Sequence, residues 1–176
     1  MLKKPVFNSA GVDLKAHKEG NMNIESTQEL NEQAEALKAA GKTDELKELA
    51  KRYGIEEEDV TDFLDGEGQL TNALTLALAT IERERKTLNT KSVIDDWTGV
   101  LSSMAADSEE LADSITFSGK SIKNLLGKIL KQAFETKVRV NDDIAKAAGI
   151  RTPLYLGIPG IGDIKKLIGE YYGVTL

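Results

Sequence analysis

The stretch QLTNALTLALATIERERKT, residues 69–87, carries Leu70, Leu74, Leu76, Leu78 and Ile81 and then turns charged at Glu82-Arg83-Glu84-Arg85-Lys86. Its apolar residues recur at helical spacing, so the stretch reads as a helix. Leu76 and Leu78 fall on different sides of it, so the helix expects burial more than halfway round its circumference. Such a helix points to an all-α protein, and the segments on either side agree.

Downstream, 88–91 is a connection and a helix follows from Ser92 to Ala106, with Val93, Ile94, Trp97, Val100, Leu101 and Met104 at helical spacing. Trp97, the only tryptophan, reads as core. Ser108 caps the next helix, with Glu109 and Glu110 in its first turn. SGKSIKNLLGKILKQAFETK, residues 118–137, is strongly amphipathic: Ile122, Leu125, Leu126, Ile129, Leu130 and Ala133 face inward, and Lys120, Lys123, Lys128 and Lys131 face outward. Gly127 in its middle costs about 1 kcal/mol relative to alanine and suggests a close helix contact. Asn141 caps a short helix over 142–148, and a last helix runs over 163–172. A pairing of 137–140 with 154–156 is the one strand contact that the pattern allows.

Upstream, Ser26-Thr27-Gln28-Glu29 is a capping box that opens a helix to about Ala40. A second helix runs from Thr43 to Gly54 and a third from Glu56 to Leu64, in a helix-turn-helix arrangement. Ala50-x-x-x-Gly54 recurs as Ala145-x-x-x-Gly149, a hint of a repeated device. Residues 1–24 lack periodicity and read as a mobile leader. The expectation is a compact all-α bundle of seven to nine short helices. It divides into the leader 1–24, an acidic helical subdomain 25–107 and a basic helical subdomain 108–176.

The charge follows that division. The net charge is −6, but residues 1–110 hold 13 Lys/Arg against 23 Asp/Glu, and residues 111–176 hold 10 against 6. In a DNA-reading helix-turn-helix the second helix enters the major groove. Here that helix carries Glu56, Glu57, Glu58, Asp59, Asp62 and Asp65, which phosphates would repel. These carboxylates read as a surface for a basic protein partner, or as a solvated helix start favoured by the helix dipole. In the basic part, Pro159-Gly160-Ile161-Gly162 followed by Lys165 and Lys166 has the look of a helix-hairpin-helix turn. There, glycine backbone and a helix start would approach a phosphate. With Lys120, Lys123, Lys128 and Lys131, these residues form a candidate nucleic-acid contact. A plain helix start is the other reading of the turn.

The chemistry available is narrow. The chain has no cysteine and one histidine, His17, in the expected leader, so thiolate zinc sites, cysteine nucleophiles and multi-histidine metal sites are excluded. The pairs Asp95-Asp96 and Asp142-Asp143 point about 100° apart on a helix and do not converge on one metal. No Walker, GxSxG or HExxH motif occurs. The expectation is a protein that is not an enzyme, with no cofactor. No apolar run approaches the ~18 residues of a membrane span, and the first residues do not read as a signal peptide. A cytoplasmic protein is expected.

GKTDELKELAKRYGIEEEDVTDFLDGE (41–67), GKSIKNLLGKILKQAFETKVRVNDDIAKAAGI (119–150) and LGIPGIGDIKKLIGEYYG (156–173) cover roughly half the chain. Through these stretches it resembles the anti-CRISPR proteins that inhibit Cas9, which are carried on phages and mobile elements of Firmicutes. The resemblance implies a non-enzymatic inhibitor that binds Cas9 loaded with guide RNA in the host cytoplasm. The acidic half would then occupy a basic nucleic-acid channel. The alternative is a nucleic-acid-binding accessory protein of a mobile element that contacts the DNA backbone through residues 119–172.

Overall fold

Asn72 sets the start of the central helix. Its side chain accepts the Thr75 N–H at 2.9 Å, so the helix begins at Ala73 and not at Gln69. The residues ahead of it are held differently. Asn31 Nδ2 donates to the Thr71 carbonyl at 3.0 Å, and Asn31 Oδ1 accepts the Thr71 N–H at 3.2 Å. This two-way pairing fastens the non-helical segment to the first helix and buries Leu70.

The computed structural model describes residues 24–175. Among them are nine helices: α1 (Thr27–Ala39), α2 (Thr43–Tyr53), α3 (Glu57–Asp65), α4 (Ala73–Leu88), α5 (Val93–Asp107), α6 (Glu109–Phe117), α7 (Ile122–Glu135), α8 (Asp142–Ala147) and α9 (Ile161–Tyr172). Two short strands, β1 (Val138–Arg139) and β2 (Tyr155–Leu156), pair antiparallel, with Val138 opposite Leu156 and Arg139 opposite Tyr155. The all-α expectation holds at the upper end of its helix number, and the one foreseen strand pairing forms. The expected leader, including His17, lies outside the described residues except for Ile24, which is buried.

Local chemistry sets most helix ends. Ser26 Oγ accepts Glu29 N–H at 3.2 Å, and Ser108 Oγ accepts Leu111 N–H at 3.2 Å. The recurring Ala-x-x-x-Gly proves to be a helix stop. Ile55 N–H donates to Ala50 O at 3.0 Å and Ile150 N–H to Ala145 O at 2.9 Å, with Gly54 and Gly149 left-handed. The same closure follows α1, α3, α4 and α9, where Lys42, Glu67, Thr90 and Val174 donate back to the last turn. The recurrence therefore marks how helices end here, and it marks no duplicated unit.

The main core joins α4, α5, α6, α7 and α9 through Ile81, Trp97, Leu101, Leu111, Ile129 and Ile168. The residue 107/108 boundary drawn on charge falls inside it. A smaller core under α1, α2 and α3 centres on Phe63 and Leu46. Leu30, Leu49 and Leu76 form a cluster between the two. Arg85 adds a polar clasp between α4 and α5: its Nε and NH2 groups donate to Asp95 Oδ1 at 2.9 Å and Oδ2 at 2.7 Å.

Three inward assignments fail. Leu78 is 41% exposed and Leu130 55% exposed, because no neighbouring element covers those sides of α4 and α7. Gly127 is exposed, and a Cβ built on it would meet nothing within 4 Å. The close contact expected of it is therefore absent within the described chain.

Candidate functional site

Glu57, Glu58, Asp59, Asp62 and Asp65 project from α3, with Glu56 as its N-cap residue, and all six are exposed. Val60 and Phe63 turn the opposite face into the smaller core, so helical spacing leaves the carboxylates on the water side. No ion pair among the described residues engages any of the six. Glu57 to Asp59 sit in the first turn, where the helix dipole favours them.

The basic residues do not form one surface. Lys120 donates from Nζ to the Tyr171 carbonyl at 2.8 Å and the Tyr172 carbonyl at 3.3 Å, and so caps the C-terminal end of α9. Tyr171 returns the bond through its hydroxyl, which donates to Ser121 O at 2.9 Å. Lys128 also approaches the Tyr171 ring, 6.0 Å from its centroid. Burial pushes the Tyr171 hydroxyl pKa up, with Glu84 adding to the effect. Glu84 itself accepts the Ile122 N–H at 2.9 Å and so caps α7 from a distant helix. Lys123 and Lys131 remain on the open face of α7, and Lys131 lies 3.7 Å from Glu135.

Lys165 and Lys166 lie elsewhere, in an open cleft of about 780 Å³ between α9 and the end of α5, with Asp107 and Glu170. Gly160 is the N-cap of α9, which starts at Ile161, two residues before the expected Asp163. The helix-hairpin-helix expectation meets a strand, β2, where its first helix would be. Pro153 and Gly157 break that segment, and strand pairing takes up its backbone groups. Nor do Gly160 and Gly162 mark a close approach. Gly160 has φ −66°, and a Cβ on Gly162 would meet nothing within 4 Å. Asp163 Oδ2 lies 3.6 Å from where a Gly160 Cβ would stand, beside the backbone that a phosphate would need. Gly157 is the glycine the fold requires, since a Cβ there would run into the Ala133 carbonyl oxygen of α7.

The sequence reading missed an apolar surface. Leu130 and Phe134 lie one turn apart on the open face of α7, and Val138 and Leu156 face each other across the strand pair, all half-exposed or more. Ile144, Ile150, Tyr155, Ile158 and Ile161 are exposed nearby in the chain. Lys137 Nζ sits 4.0 Å from the Phe134 ring centroid. The available signal was the density of large apolar residues in a segment that forms only two paired two-residue strands and a six-residue helix, too little structure to bury them.

Among the described residues, no group of three or more His, Asp or Glu is placed to hold a metal ion, and no helix is long and apolar enough to cross a membrane. No protein-family model matches the chain, and neither a curated protein nor a solved structure does.

Proposed function

We propose that this chain is a binding protein that inhibits guide-loaded Cas9 in the bacterial cytoplasm, with no chemistry of its own. The observation that carries the reading is the acidic face of α3: six exposed carboxylates on one short helix, none in an ion pair among the described residues. A face of this kind competes with phosphate backbone for a basic channel, and long-range attraction speeds the encounter. The resemblance of 41–67, 119–150 and 156–173 to Cas9 inhibitors supplies the partner.

The test is cleavage by guide-loaded Cas9 in the presence of the purified chain. Inhibition is expected to weaken about tenfold or more when Glu57, Glu58 and Asp62 are changed together to lysine, and to weaken as salt rises. Complete cleavage at large molar excess, across several Cas9 orthologues, overturns the reading. The competing DNA-backbone reading is less favoured, because Lys120 is engaged at α9, Lys166 lies 3.8 Å from Glu170 and Asp163 flanks the helix start. Its own check is a gel shift at low salt with and without Lys165→Glu and Lys166→Glu.

A further inference from the structure

Among the described residues, Phe134 and Tyr155 are the two exposed aromatic side chains, at 68% and 51%. Each stands beside a cation. Lys137 Nζ lies 4.0 Å from the Phe134 ring centroid, and Arg139 is opposite Tyr155 in the strand register. We propose that these four residues bind single-stranded nucleic acid, with bases laid on the two rings and phosphates held by the two cations. The site is separate from the acidic face of α3.

The register brings the four together. Side chains alternate along a strand, so Arg139 and Tyr155 share one side of the pair, and Val138 and Leu156 turn to the other. Gly157 is the next residue on the Tyr155 side. It sits against the last turn of α7, where a Cβ would run into the Ala133 carbonyl and come within 3.0 Å of the Lys137 Cα. Tyr155 therefore stands two residues along from the point where the strand pair abuts α7. Phe134 follows Ala133 at that point. The aliphatic residues on the other side of the pair take no part.

Charge and ring geometry select the ligand. Residues 130–161 contain five cations and three carboxylates. Each carboxylate already has a cation: Lys131 lies 3.7 Å from Glu135, Arg139 2.9 Å from Asp142 and Lys146 3.6 Å from Asp143. Lys137 and Arg151 are exposed and enter no ion pair among the described residues. The surplus is positive, which favours an anion. The Arg139–Asp142 pair is exposed on both partners and opens at little cost. Open rings flanked by cations fit an anion that carries flat π faces, as a nucleotide does. Bases within a duplex stack on one another and offer no face to a ring, so the strand must be unpaired. Lys165 and Lys166, in the cleft beside α5, play no role here.

Fluorescence anisotropy of the full chain tests this, with labelled oligouridine, oligothymidine and a duplex of about 12 nucleotides per strand at about 50 mM salt. A single strand should bind with a dissociation constant on the order of micromolar, at least about tenfold tighter than the duplex. The two oligomers tell RNA from DNA as the preferred strand, and binding of either supports the site. Phe134→Ala with Tyr155→Ala should weaken binding about tenfold or more, and Phe134→Trp should retain it. Lys137→Gln should weaken it and make the slope against salt shallower by about 0.7. Leu156→Ala, on the other side of the strand pair, should leave it unchanged. All these positions are exposed, so the variants should keep the wild-type circular dichroism. If the double variant nevertheless unfolds, Lys137→Gln decides the matter, and an unchanged salt slope overturns the proposal. No binding of either single strand, equal binding of the duplex, or an equal loss on Leu156→Ala and on the double variant also overturns it. No Cas9 enters the assay, so any of these results leaves inhibition through α3 untouched.

Discussion

Gly157 and Gly162 stand five residues apart and make opposite demands. A Cβ at 157 collides with the backbone of α7, whereas one at 162 points into open space. Gly157→Ala should therefore lower stability by about 1–3 kcal/mol in urea unfolding. Gly162→Ala should leave it unchanged or slightly higher. Equal effects at the two positions would contradict this packing. Asp95 provides a second residue-scale prediction. The Arg85 guanidinium, and then the Thr90 hydroxyl, bond its carboxylate and hold its pKa below the usual range. Ionised Asp95 thus stabilises the fold above the unfolded-state value of about 3.9, and the contribution is lost as pH falls through the lower folded value. Asp95→Asn should melt slightly below wild type at pH 7, since a part-exposed ion pair is screened by solvent, and the gap should close as pH drops below about 4. A gap that is constant with pH would rule out the clasp as its source.

At the scale of elements, helices here are held partly by residues from elsewhere. Glu84 on α4 accepts the first N–H of α7, and Asp113 on α6 accepts Thr27 N–H at 3.1 Å at the start of α1. Glu84→Ala should cost about 1 kcal/mol in chemical denaturation, with hydrogen exchange rising first at Ile122 and Lys123. Such remote caps explain what could be read from the sequence. The Ser26 and Ser108 caps and the glycine stops depend on neighbours within a few residues, so their helices were legible. The start at Ala73 was missed because Asn72 sits inside a periodic-looking run, and the start at Ile161 because Gly160-Ile161-Gly162 was read as a turn. Leu130 was read as core because leucine at helical spacing gives no sign of whether another element will arrive to cover it. The acidic face was legible from α3 alone. The exposure of Leu130, Phe134, Val138 and Leu156 was not, because it depends on no other element packing over α7 and the strand pair.

Across the whole molecule, two cores share a boundary. Leu76 and Leu49 meet between the smaller core and the larger one, and Phe117 packs against the same cluster. Unfolding should therefore be one cooperative event. Phe63→Ala, in the smaller core, should cost about 3–5 kcal/mol. It should shift the Trp97 fluorescence transition, which reports the larger core, as far as it shifts circular dichroism. Two separated transitions would show that the cores melt independently. The reciprocal bonds joining Lys120 and Ser121 to Tyr171 and Tyr172 bear on change over longer times. They tie the start of α7 to the end of α9, two helices of the main core, so the segment between these helices, with β1, α8 and β2, leaves the core and returns to it. Lengthening a segment whose ends are already tied costs little, about 0.6 kcal/mol per doubling of a flexible loop. The loop around Gly149–Thr152 can therefore be extended or swapped like a graft on rooted stock, giving one stem a succession of different tips.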